Sequence, residues 1–199
     1  MRIFSFYKDE LKNNWVWIKR AALTFLVFIF IGWLVHMAAP QFIEQIVKTL
    51  ADKIGGDFTP SSSLAGKIFI NNLNATVLAI IGGVILGVIP LLVMAINGFL
   101  VGYILAYLLA ESNQLLLKGL GFAAAALIPH GIFELSALFI AAGLSMKWGV
   151  NYLRKENAGN RWQVFKTDCE LILRFLPLII FLLVIAAFVE TFVTSALVK

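Results

Sequence analysis

One hexapeptide, Pro129-His130-Gly131-Ile132-Phe133-Glu134, carries an imidazole and a carboxylate four residues apart inside a stretch that is otherwise apolar. Side chains at i and i+4 share a helix face, so the two groups can act together. A carboxylate in hydrocarbon costs about 3 kcal/mol or more unless it is paired, hydrogen-bonded, protonated or metal-bound, which makes Glu134 a candidate functional residue. A second acid, Glu190, stands in the last apolar run, and Asn71 and Asn72 open an earlier one. Imidazole with two carboxylates is a competent ligand set for zinc or another divalent ion, and His130, Glu134 and Glu190 could supply it. The same residues could equally form a buried polar network that pins helix register, with His130 charged against the two acids and the Asn amides capping backbone near Pro129. A proton or ion pathway is a third use. Hydrolytic catalysis is disfavoured: metallohydrolases keep three ligands, an open position and a separate base, and His36 is the one remaining histidine. No catalytic residue is assigned, the chain is expected not to be an enzyme, and no cofactor beyond such a metal is suggested.

The elements that must position these groups follow from composition. The chain has 199 residues, is 61% hydrophobic and 14% charged, and has a mean hydropathy of +0.92, which excludes a soluble globular domain. It reads as an all-α, polytopic transmembrane bundle with the lipid bilayer as its first partner. Of the sixteen Lys and Arg, five (Arg2, Lys8, Lys12, Lys19, Arg20) precede the first apolar run, and six (Lys147, Arg154, Lys155, Arg161, Lys166, Arg174) surround one later loop. By the positive-inside rule both groups are cytoplasmic, and so is the N-terminus. Topology alone explains these charges, so no nucleic-acid partner is expected. The single cysteine, Cys169, excludes an internal disulfide.

Residues 1–20 place Phe4, Tyr7, Leu11, Trp15 and Ile18 three and four apart, which predicts a cytoplasmic amphipathic surface helix. Residues 21–199 then form one transmembrane domain. A first span covers residues 21–39 and reads as an uncleaved anchor. Residues 41–67 alternate apolar and charged positions at helical spacing and predict an outer-face amphipathic segment. Residues 68–110 carry no charge and are long enough for two crossings, with Pro90 or Asn97-Gly98 as the hairpin between them. Gly82, Gly83 and Gly87 would let a neighbouring helix approach closely.

Proline is tolerated at the start of a helix and disfavoured inside it, so Pro129, with Gly131 beside it, predicts a helix break. A span then runs from Pro129 to Lys147, preceded by a short re-entrant or half helix at residues 115–128. A last span covers residues 171–197. Balancing the sides gives five full crossings plus the partial one, with six crossings as the alternative. This count sets Asn71, Asn72, His130, Glu134 and Glu190 at one outer level, contributed by three helices, and His36 at the outer end of the first span as an interface residue.

The run Pro129-His-Gly-Ile-Phe-Glu-Leu-Ser-Ala, the upstream Asn71-Asn72, the Asn97-Gly98 pair and the terminal Ala187-Phe-Val-Glu-Thr-Phe-Val-Thr together resemble the stage II sporulation protein M family of bacterial and archaeal membrane proteins. The resemblance covers about residues 68 to 195; the N-terminal third carries no matching motif, and Ser136 stands where many relatives have proline. It implies a multi-pass protein of the bacterial cell membrane. In spore formers such relatives act at engulfment as the membrane-embedded scaffold or anchor of membrane-anchored, peptidoglycan-degrading partners. A homo-oligomer is compatible with that role. The runner-up function is a small transporter or channel component that uses the buried His/Glu/Asn cluster, with metal bound or without.

Overall fold

The computed structural model describes residues 2–41, 60–111 and 116–197. Among these the chain is all helical, as the composition demands. In order, the elements are α1 (Arg2–Asn13), α2 (Trp15–Ala38), α3 (Ser62–Gly82), α4 (Val88–Glu111), α5 (Leu116–Asn151) and α6 (Arg161–Phe188). A π-helical segment, Val189–Thr194, continues α6 into a last turn at Ser195–Leu197. Five of the described helices are long and apolar enough to cross a membrane: Trp15–Ala38, Ser62–Gly82, Val88–Tyr107, Leu127–Asn151 and Arg161–Leu197. The protein is therefore a polytopic helical membrane protein, with five candidate crossings among the described residues.

The N-terminal helix is shorter than its hydrophobic pattern suggests, because Asn14 ends it. The Asn14 side chain is buried and its Nδ2 donates to the Glu10 carbonyl at 2.8 Å and to Glu10 Oε2 at 3.2 Å. Its amide thus competes with the helix ladder, and Trp15 and Ile18 fall in α2 instead. Phe6, Tyr7 and Leu11 of α1 lean on the core around Phe175, with the Tyr7 and Phe175 rings 5.2 Å apart edge to face. The Tyr7 hydroxyl donates to the Arg174 carbonyl at 3.1 Å, tying α1 to α6.

Most of the segment read as an outer-face amphipathic stretch, residues 42–59, lies outside the described residues. Its described end belongs to α3, which starts six residues before Ile68. Ser61 is the cap, its Oγ accepting from the Leu64 N–H at 3.1 Å.

Neither candidate for the next hairpin forms it. The chain turns at residues 83–87, where Leu86 and Gly87 take φ of 53° and 68°. Pro90 sits in the first turn of α4, where a missing N–H costs nothing. Asn97 and Gly98 lie inside α4; Asn97 Nδ2 donates to the Val93 carbonyl at 2.8 Å. The glycine is needed because α2 and α4 cross backbone to backbone. A Cβ on Gly98 would collide with the Phe25 carbonyl, one on Gly102 with the Ile29 carbonyl, and one on Gly32 with the Phe99 carbonyl. The turn itself seats on α5: a Cβ on Gly83 would lie 2.7 Å from the Ser145 carbonyl, and one on Gly149 would strike the Gly83 carbonyl.

Helix α5 is the centre of the bundle. Residues 141–146 are buried without interruption. One side of α5 packs Ala137, Ala141 and Leu144 against Ile172, Phe175, Ile179 and Leu183 of α6. The other packs Leu138, Ala142 and Met146 against Ala21, Ala79, Val93 and Met94 of α2, α3 and α4. Pro129 does not break this helix. It lies inside α5, and residues 116–126, the short stretch expected ahead of it, join the fourth span as an extension. At 1.5 Å per residue the whole helix is about 54 Å long, well beyond a hydrocarbon core of about 30 Å. A proline there removes one hydrogen bond to the Ala125 carbonyl, which a membrane helix supported by neighbours tolerates.

At the basic end of the bundle Lys147 Nζ lies 2.9 Å from Asp168 Oδ1. Asn151 Nδ2 donates to Asp168 Oδ2 at 2.7 Å, and Trp148 Nε1 to the Phe165 carbonyl at 3.1 Å. These bonds fix α5 against α6 where the basic loop joins them.

Candidate functional site

His130 and Glu134 stand one turn apart on α5, and the π-helical segment brings Glu190 onto the same face. One ligand atom from each of the three residues lies within 4.8 Å of the others, and all three side chains are half-buried. The π turn is defined by the Ser195 N–H bonding back five residues to the Glu190 carbonyl. Such a turn holds one residue more than an α turn, changes which side chains face the neighbouring helix, and is common at functional sites.

Around these three residues the polar groups continue. His130 Nδ1 lies 3.3 Å from Thr194 Oγ1, donor or acceptor according to the tautomer. Asn72 of α3 lies against the Glu134 carboxylate, although its buried Nδ2 completes no hydrogen bond. Thr76, also buried, donates to the Asn72 carbonyl at 2.8 Å. Thr191 is fully buried next to Glu190 in sequence, and its Oγ1 has no partner. Two of the four buried side-chain polar atoms without a partner among the described residues therefore belong to the segments that build this cluster.

Four of the residues singled out from sequence are thus neighbours: His130, Glu134, Glu190 and Asn72. Asn71 is not one of them. Its side chain is exposed and reaches the Asn72 Oδ1 at 3.4 Å. Pro129 and Gly131 flank His130, but a Cβ on Gly131 would meet nothing within 4 Å, so neither a break nor a close contact requires glycine there. Because α3 starts at Ser62, Asn72 is about 15 Å from either end of it, and Glu134 is about 10 Å inside the span that begins at Leu127. Along its helices the cluster stands on the side of the bundle away from the basic loop. His36 is also more enclosed than an interface residue: it is buried edge to face against Tyr103, with ring centroids 4.8 Å apart. The Tyr103 hydroxyl in turn donates to the Pro40 carbonyl.

Thr191 and Thr194 were not anticipated. Their signal was present in Glu190-Thr191-Phe192-Val193-Thr194, where polar residues recur three and four apart in an apolar helix. The π turn that aims them has no comparable signature. Chemically, one imidazole nitrogen and two carboxylates offer three hard or borderline ligands from two elements, with hydroxyl and amide groups at the edge.

Comparison with known proteins fits this arrangement. Residues 21–195 match the family described as stage II sporulation protein M. The match takes in the whole cluster and most of α2, and so reaches into the N-terminal third, which carries no matching motif, as far as residue 21. An uncharacterised protein of the archaeon Methanocaldococcus jannaschii is 33% identical over 132 residues, 64% of this chain and 68% of its own length. No solved structure matches the chain. With four other apolar helices packed around α5 and a family match running from the first span to the last, the chain belongs to the stage II sporulation protein M family.

Proposed function

We propose that this multi-pass membrane protein is a scaffold, an anchor that holds peptidoglycan-degrading partners at the cell membrane as family members do at engulfment. One observation carries the reading: glycines lock the spans together by backbone contact at two crossings, one between α2 and α4 and one where the α3–α4 turn meets α5. Gly32, Gly98 and Gly102 close α2 on α4, while Gly83, Gly87 and Gly149 close the α3–α4 turn on α5. Helices in such contact have no side-chain layer to slide on, which suits a rigid platform better than a carrier that must open to alternate sides. The orientation that goes with this role has a cytoplasmic N-terminus. Its support is that the two basic groups meet at one end of the bundle, where Tyr7 bonds to Arg174 and the Arg154 guanidinium lies 5.6 Å from the Trp17 ring.

The test is co-purification. The full chain, solubilised in mild detergent from its own membrane, should retain membrane-anchored peptidoglycan hydrolases, and a Glu190→Gln variant that folds should retain them equally. Loss of the hydrolases from both preparations would remove the scaffold reading.

A second reading has its own observation, the proximity of the His130, Glu134 and Glu190 ligand atoms. Two carboxylates this close in an apolar layer need a compensating positive charge, from the imidazolium, a proton or a divalent cation. In that reading the cluster holds a zinc-like ion or passes a cation. Elemental analysis of protein purified without added metal, beside His130→Ala, decides the metal version: about one equivalent in the first and none in the second supports it. Cation flux into liposomes that Glu190→Gln abolishes supports the pathway version and argues against a pure scaffold.

A further inference from the structure

A groove at the basic end of the bundle lies apart from the polar cluster. It has a volume of about 340 Å³ and runs between the N-terminal turns of α2, the turn at residues 83–87 and the C-terminal end of α5. Its walls are mostly apolar, with Leu23, Leu86, Leu91 and Met146 among them, and Arg20 and Trp17 line it as well. The Arg20 guanidinium lies 4.5 Å from the Trp17 ring centroid, and the Arg154 guanidinium lies 5.6 Å from the same centroid. Two cations therefore share one indole, held by its quadrupole. Among the described residues no carboxylate pairs with Arg20, and Arg154 has only the exposed Glu156 at 3.6 Å.

A second feature points the same way. Leu86 adopts a φ of 53°, a left-handed conformation that costs a residue with a Cβ roughly 1–2 kcal/mol and that glycine would take freely. Its side chain lines the groove and is 55% exposed, so the protein's own core gains little from it. An apolar ligand in the groove would supply the missing contact.

From the two guanidiniums at one indole, the apolar walls and the position at the bundle end, we propose that this groove holds one anionic phospholipid, its headgroup phosphate bound by Arg20, which lines the groove, and within reach of Arg154 beside Trp17, and an acyl chain along Leu23, Leu86 and Leu91. Guanidinium groups bind phosphate oxygens with short, charge-assisted and often bidentate hydrogen bonds. Indole at the headgroup level and basic pockets between spans are the usual furniture of such sites. The lipid would be an inner-leaflet one if the basic end is cytoplasmic, and the binding itself requires neither that orientation nor the scaffold role.

Native mass spectrometry of the full chain in detergent, with phosphatidylglycerol and phosphatidylcholine in equal amounts, tests it. Wild-type protein should retain phosphatidylglycerol over phosphatidylcholine by roughly tenfold or more. The double variant Arg20→Gln, Arg154→Gln should lose that preference, whereas Lys8→Gln, Lys12→Gln, which removes the same charge from α1, should keep it. Equal retention of the two lipids by wild type, or the same loss in both double variants, overturns the site. Thermal melting provides the second arm: phosphatidylglycerol micelles should raise the melting temperature of wild type and not of the arginine variant. An equal rise with inorganic phosphate alone would overturn the assignment to a lipid.

Discussion

Glu134 and Asp168 are acids held in opposite ways, and the difference predicts how each responds to substitution. Asp168 is fully committed: Lys147 and Asn151 both bind it, and the two side chains of the ion pair are 22% and 6% exposed. Removing it strands a partly buried ammonium and an amide, so Asp168→Ala should cost about 2–4 kcal/mol, while Asp168→Asn, which keeps an acceptor for Asn151, should cost less. Glu134 is surrounded by groups that share it with others. Glu134→Ala should destabilise the protein by about 1–3 kcal/mol by emptying the half-buried space its side chain fills beside His130 and Asn72. A lipid-facing Leu78→Ala, at a position 57% exposed, should change stability by about 0.5 kcal/mol or less. Melting in detergent compares all four variants, and indistinguishable melting of Glu134→Ala and Leu78→Ala would show that the cluster does not help to hold the bundle.

Among the elements, α5 and its glycines decide the outcome. Gly102 and Gly131 are both helical glycines, yet their surroundings are opposed: the first faces the Ile29 carbonyl and the second faces open space. Gly102→Ala should push α2 from α4 and cost about 1–3 kcal/mol. Gly131→Ala should stabilise the protein by about 0.5–1 kcal/mol, by reducing the freedom of the unfolded chain at a site with room for a methyl group. Guanidine or heat denaturation of the pair would settle it; a destabilising Gly131→Ala would mean that His130 needs a backbone freedom the helix does not use. The π segment is the other decisive element. Without its extra residue Glu190 and Thr194 would rotate by part of a turn relative to α5, so deletion of Val189 should separate Glu190 from His130 and reproduce the melting behaviour of Glu134→Ala.

For the molecule as a whole the testable property is sidedness. In a Cys169→Ser background, a cysteine placed at Asn157 should react with a membrane-impermeant thiol reagent only from the cytoplasmic side, and one at Ser195 only from the outside. Labelling of both from one side would contradict an odd number of crossings between them. It would also remove the orientation argument from the basic residues, while leaving the cluster and the groove where they are.

The sequence alone determined the class of molecule and its chemistry-bearing residues. Uncharged runs about twenty residues long have one stable outcome in a bilayer, and ionisable groups within them stand out because lipid penalises them so heavily. The i, i+4 spacing of His130 and Glu134 was legible for the same reason, being set by helix geometry alone. Tertiary structure decided the rest. Pro129 looked like a boundary because local rules disfavour proline inside a helix, and contacts from neighbouring spans carry the helix through it. Asn97-Gly98 looked like a turn because those residue types favour turns, whereas here the glycine serves a crossing of two backbones that no local pattern encodes. The partners of Glu134 were fixed by the π turn after Phe188 and by the register of α3 against α5. Both depend on packing between segments more than fifty residues apart, and spacing within one segment holds no information about that.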